Sequence, residues 1–172
     1  MRIESLDESY HVNMLIELLM RYPEIYTITF NVTSSSCSLS YMINRQLQRD
    51  ELADLKQKLK LSLQVFYFLH DYDDTVDFKI RKSRCYGMDR IQITLEANAL
   101  LGEAISLLTK TMYEIFQEDL VGEIRPRNVG YLPEIAASLE ELPGRPHSAE
   151  ASRKIGHLFA FRDAGKVYIY DK

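Results

Sequence analysis

Hydrophobic periodicity along the first 120 residues runs 3.6, 2, 3.6, 2, 3.6, and this rhythm restricts the fold more than any single residue does. "SLDE" at Ser5–Glu8 has the form of a capping box, Ser5 accepting from the Glu8 amide while the Glu8 carboxylate reaches back. Val12, Leu15, Ile16 and Leu19 then fall on one helical stripe, and Pro23 forbids a simple continuation. "IYTITFNV" alternates, with Tyr26, Ile28, Phe30 and Val32 on one side. After the turn "TSSS", "CSLSYMI" alternates again through Cys37, Leu39, Tyr41 and Ile43, so the two runs form a hairpin. A long helix follows from Asp50, a natural N-cap, with Leu52, Leu55, Leu59, Leu63, Phe66 and Leu69 along its inner side. "TVDFKIRK" and "RIQITLE" make a second hairpin, each with one apolar face. Leu101, Ala104, Ile105, Leu108, Met112, Ile115 and Phe116 make a third helix.

Strands with one apolar face imply an antiparallel sheet with helices on one side. The expected fold is therefore α+β, a two-layer sandwich of antiparallel hairpins in the order α-ββ-α-ββ-α over residues 1–120. Residues 121–156 read as a proline- and glycine-rich connection holding one short helix at 133–142, where Pro133 suits the first helical position. Residues 157–172 read as a third hairpin turning at Asp163–Gly165, with apolar or aromatic residues on both faces. Leu158, Ala160, Val167 and Ile169 stand against Phe159, Phe161, Tyr168 and Tyr170. A hairpin with two apolar faces needs cover on both. It either extends the sheet beneath the helices or packs on a second subunit, and a homodimer built through this hairpin is the expected arrangement. Phe159, Phe161, Tyr168 and Tyr170 are the interface candidates for a homodimer or a protein partner, aromatic residues being enriched at interface cores.

Charge and composition narrow the functional classes. A formal net charge of −4 argues against broad affinity for nucleic acid or anionic membrane. No run of about 18 apolar residues would cross a membrane, and no apolar leader opens the chain, so a cytoplasmic location is expected. Two cysteines, Cys37 and Cys85, form neither a disulfide framework nor a metal pair.

Three clusters carry possible chemistry. "FLHDYDDTVDF" at 68–78 gathers His70, Asp71, Asp73, Asp74 and Asp77. It lacks the glycine and glutamate of a calcium loop and a second histidine for zinc, and aspartates are favoured where a chain turns, so it reads as a hydrated corner. Lys79, Arg81, Lys82, Arg84 and Arg90 surround the second hairpin's turn, which could present a basic tip to phosphate or RNA; the plainer reading is an edge hairpin kept soluble by charge. Cys85 and Arg90 are one residue too close for a phosphatase loop, and a strand follows where that loop needs a helix. Arg125 and Arg127 lie in a glycine-bracketed loop, without either common phosphate-binding motif. No metal ligand set, cofactor or catalytic residue is assigned. The expected function is binding, to itself or to a protein partner. One alternative is a small metal- or nucleotide-dependent enzyme or regulator using Asp71, Asp73 and Asp74 with Arg125 and Arg127. Another is RNA or phosphate binding through residues 79–90.

Overall fold

The computed structural model describes residues 4–72, 77–98, 100–122, 156–163 and 166–171. It is mixed α+β, with three helices and one antiparallel sheet of seven strands. The elements run α1 (Glu4–Arg21), β1 (Thr27–Asn31), β2 (Ser36–Ile43), α2 (Arg49–Leu69), β3 (Phe78–Cys85), β4 (Met88–Glu96), α3 (Leu101–Phe116), β5 (Leu120–Val121), β6 (His157–Asp163) and β7 (Lys166–Asp171). The strand order is β3-β4-β2-β1-β6-β7, and β5 pairs with the end of β2. The expected α-ββ-α-ββ-α layout is present. The expected 133–142 helix lies outside the described residues.

Alternation decides which side of each strand is buried. Ile28 and Phe30 of β1, Cys37, Leu39, Tyr41 and Ile43 of β2, and Ile91, Ile93 and Leu95 of β4 join one core with all three helices. Each is flanked by residues that point to the opposite face, as period 2 requires. The inner stripe of α3 is buried as its spacing predicts, except that Ile115 is only partly covered. In α1 the spacing misleads at one place: Ile16 is exposed, and Leu18 is buried beside Leu15 and Leu19. The His11 ring stacks on Phe30, centroids 4.5 Å apart, holding α1 over β1.

The third hairpin belongs to the chain's own sheet. β6 pairs with β1 from Thr27↔Phe161 to Asn31↔His157. Leu158 and Ala160 are buried in the core, with Val167 and Ile169 packed against it. Of the two arrangements considered for this hairpin, the intramolecular one is present. Its first strand is set by the backbone bond from Val32 N–H to the Gly156 carbonyl, 3.1 Å.

Turn chemistry is local. Ser34 N–H donates to the Asn31 side chain at 2.9 Å, an aspartate-like turn that closes β1–β2. The β3–β4 turn is two residues, Tyr86 and Gly87, with φ of 51° and 78°. Positive φ at both positions matches the twist of a hairpin, and glycine at the second is the usual solution. The connection is thus a tight two-residue turn.

Helix α2 begins two residues before the expected start. Gln48, not Asp50, is the N-cap. Its backbone N–H donates to the Glu51 carboxylate at 2.8 Å, satisfying a donor that the helix leaves open.

Candidate functional site

The basic cluster is divided by the register of β3 and β4. Lys82 pairs with Ile91 and Arg84 with Asp89, on the sheet face that carries the helices. Lys79, Arg81 and Arg90 belong to the opposite, outer face. Lys82 is held at the inner face: its ammonium lies 3.0 Å from Asp89 and donates to the Leu47 carbonyl. Arg90 donates to the Ser83 hydroxyl at 3.1 Å. Five cations adjacent in sequence therefore do not form one anion site.

The outer face also carries the four C-terminal aromatics. Continuing the register across β2, β1, β6 and β7 puts Lys79 in one row with Thr94, Ser38, Thr29, Phe159 and Tyr170. Arg81 shares the next row with Gln92, Ser40, Thr27, Phe161 and Tyr168. The aromatics stack on one another: Phe161 lies 5.2 Å from Tyr168, 5.9 Å from Tyr170 and 5.9 Å from Phe159. Phe161 is buried, and Tyr168 is the most exposed of the four. Phe161 is the ring common to all three contacts. Burial, with Cys85 adding to it and Arg90 opposing, pushes the Tyr26 hydroxyl up to about 12.

The loop from β2 into α2 holds a separate ionic network. Arg45 bridges Glu51 at 2.7 Å and Asp119 at 2.8 Å. The Gln48 amide and Arg45 hold the Glu51 carboxyl below its usual range. Asp89, only 1% exposed, accepts from the Leu47 amide at 2.7 Å. Burial pushes the Asp89 carboxyl up, but the Leu47 amide and Lys82 outweigh it and hold it below its ordinary value. These groups are committed to one another and pin residues 44–48 to β4 and the 117–119 turn.

The acidic corner gives no cation cage. Among the described residues no group of three or more His, Cys, Asp or Glu could hold a metal ion. Asp71 is exposed with φ of 52°, and the His70 ring donates to the Phe66 carbonyl at 2.8 Å, so both serve the end of α2. Asp73, Asp74, Arg125 and Arg127 lie outside the described residues. Among the described residues, no helix is long and apolar enough to cross a membrane.

Helix α2 holds the feature that the sequence reading missed. Its buried stripe is Leu55, Leu59, Leu63 and Tyr67. Leu69, expected inside, is 70% exposed. Leu61 (62%), Val65 (50%) and Phe68 (80%) are exposed with it. At ~100° per residue, Leu61 and Val65 each lie about 200° from Leu63, so this second stripe faces directly away from the core. The signal was present in "LSLQVFYFL": the C-terminal half of α2 is apolar on all sides. A helix of that kind is normally buried all round.

These features define a class, an α+β domain with helices on one sheet face and an apolar stripe on the outer surface of one helix. Comparison with known proteins goes no further: no family model, no curated protein and no solved structure matches the chain.

Proposed function

We propose that this chain is a non-catalytic domain that acts by binding protein, and that its docking element is the outer face of α2. The observation that carries the reading is the exposure of Leu61, Val65, Phe68 and Leu69 as one contiguous stripe. Scattered surface leucines need no explanation, whereas an apolar ridge two turns long marks an interaction surface. Leu61, Val65 and Phe68 stand at i, i+4 and i+7, the spacing of anchors by which amphipathic helices are recognised. The form of binding proposed is self-association into a homodimer, since two-fold pairs are the commonest oligomers. A cytoplasmic setting belongs to the same proposal, two cysteines in 172 residues being no disulfide framework.

The rival readings have less to stand on. Anion binding at the β3–β4 turn loses Lys82 and Arg84 to the other sheet face. For catalysis, the ionisable groups that meet among the described residues, Arg45, Glu51, Asp119, Lys82 and Asp89, are spent on ion pairs.

Sedimentation over a range of concentrations tests the proposal. The intact chain is expected to dimerise as concentration rises, and Leu61→Lys with Phe68→Lys to remain monomeric with an unchanged far-ultraviolet dichroism spectrum. A chain that stays monomeric at its highest soluble concentration overturns the proposed self-association.

A further inference from the structure

Part of the sheet's outer side is buried. Three apolar side chains, Met42, Met88 and Phe161, are buried but stand apart from the core that the helices share with the inner side. Alternation puts all three on the outer side. Met42 lies between the core residues Tyr41 and Ile43, Phe161 follows Ala160, and Met88 shares its side with Arg90 and Gln92. Ser40 links two of them: it is two residues from Met42, in one row with Thr27 and Phe161, and is itself buried. All three helices bury their stripes on the inner side, so among the described residues no helix covers this outer patch. Met42, only 1% exposed, nonetheless has cover.

The chain path points to its source. β4 occupies one edge of β2, so β5 pairs on the other edge, in the same lane as β1 and heading toward it. At Gly122 that lane is taken: a Cβ there would stand 3.5 Å from the Pro23 carbonyl, just ahead of β1. The chain must leave the sheet plane at this point. It rejoins at Gly156, whose carbonyl accepts from Val32 N–H beyond the far end of β1. The two points are separated by the length of β1, ~20 Å at ~3.3 Å per residue. On the inner side α1 stands in the way, its His11 ring stacked on Phe30.

We infer that the connection 123–155 crosses the outer side of the sheet, and that its stretch "PEIAASLEEL" at 133–142 docks over Ser40, Met42 and Phe161. This does not depend on the reading of α2. The connection has 33 residues (156 − 122 − 1), of which 23 lie outside 133–142 (33 − 10), ample for the distance. Ile135, Leu139 and Leu142 stand at i, i+4 and i+7, one apolar edge of a helix. Ten helical residues extend ~15 Å, about three strand spacings. Charge selects the same occupant. On its strands the outer side carries Lys79, Arg81, Arg90 and Lys166 against Glu96 and Asp163, and Asp163 pairs with Lys166 across the last turn. Three bases are left against one acid. Residues 133–142 hold Glu134, Glu140 and Glu141 and no base; the bases of the connection, Arg125, Arg127, Arg145, Arg153 and Lys154, all lie outside that stretch. The cations of the second hairpin's outer side thus serve the chain's own acidic segment, and this side of the sheet is not a free surface for a ligand.

Thiol labelling of the full chain tests this. Cys37 is buried, so in a Cys85→Ser background Ser40→Cys is a single reporter on the outer side. It should react about tenfold or more slower than in the chain unfolded by denaturant. Ile135→Asp with Leu139→Asp should raise the rate about tenfold while the cooperative unfolding transition remains. Glu140→Lys with Glu141→Lys, which leaves every apolar residue in place, should raise it about threefold at low salt and less at high salt. Labelling of Ser40→Cys at the unfolded rate, with the connection unaltered, overturns the inference. So does protection that neither pair of changes relieves, because the sheet's own side chains then cover Ser40. Val65→Cys on α2 is the second reporter. Protection there that Ile135→Asp with Leu139→Asp relieves would seat the segment on α2 and overturn the inference as well.

Discussion

Asp89 shows how one residue can set a measurable property. Its carboxylate is nearly inaccessible, accepts from the Leu47 amide, and pairs with Lys82. Asparagine keeps one acceptor oxygen for these donors but removes the negative charge opposite the Lys82 ammonium. Asp89→Asn should therefore cost about 2 kcal/mol at neutral pH in denaturant unfolding. The sign of its pH dependence follows from the lowered carboxyl value. A carboxyl depressed in the folded state contributes its full stability above its ordinary value of 3.8 and loses it as pH falls through the folded value. The native chain should thus lose stability below about pH 4 more steeply than Asp89→Asn. Equal slopes would remove Asp89 from the account. Gln117 is a second single-residue case. It caps α3 with φ of 45° and ψ of −114°, a region that glycine tolerates and other residues pay for. Gln117→Gly should raise stability by about 1 kcal/mol, read as a shift in unfolding midpoint at constant slope. Neither residue is conspicuous in the sequence, because a strained backbone angle and a distant ion pair leave no local pattern.

At the level of elements, the two stripes of α2 separate by experiment. Leu63→Ala empties space in a fully buried site and should cost about 2–5 kcal/mol. Leu61→Ala, two residues away on the outer face, should change monomer stability by no more than about 0.5 kcal/mol. A comparable loss at both positions would mean that the outer stripe is buried within the monomer. The same helix shows where sequence reasoning worked and where it stopped. Hairpins were legible because period 2 and turn residues are local, and β1/β2, β3/β4 and β6/β7 all stand where alternation put them. The inner stripe of α2 was read as Leu52, Leu63, Phe66 and Leu69 among others. When one half of a helix is apolar all round, periodicity cannot say which of two stripes faces inward; only the neighbouring sheet decides. The basic cluster divides for a related reason. Lys79, Arg81, Lys82, Arg84 and Arg90 lie within twelve residues in sequence, but strand alternation places Lys82 and Arg84 on one face and the other three on the opposite one.

For the whole molecule, the decisive strand pairing is the one furthest apart in sequence among the described residues. Thr27 pairs with Phe161, 134 positions away (161 − 27), and this pairing makes the C-terminal hairpin one side of the sheet. Alternation predicted the hairpin and its need for cover but could not supply the partner strand. The consequence is energetic. Leu158, Ala160 and Phe161 are buried, and Leu158 and Ala160 sit in the same core as Leu15, Leu19, Ile28 and Phe30. Each large apolar side chain buried is worth about 1.5–3 kcal/mol, against a total stability of ~5–15 kcal/mol for an ordinary domain. Removing residues 157–172 would strip these groups and also bare the inner residues of β1 and one side of α1. The loss should equal much of the folding margin. A chain ending at Gly156 is therefore expected to lack the cooperative thermal transition of the intact chain and to bind a dye for exposed apolar surface. Were the hairpin a mere appendage, the shortened chain would melt in a single transition within a few degrees of the intact one, and its place in the core would have to be abandoned.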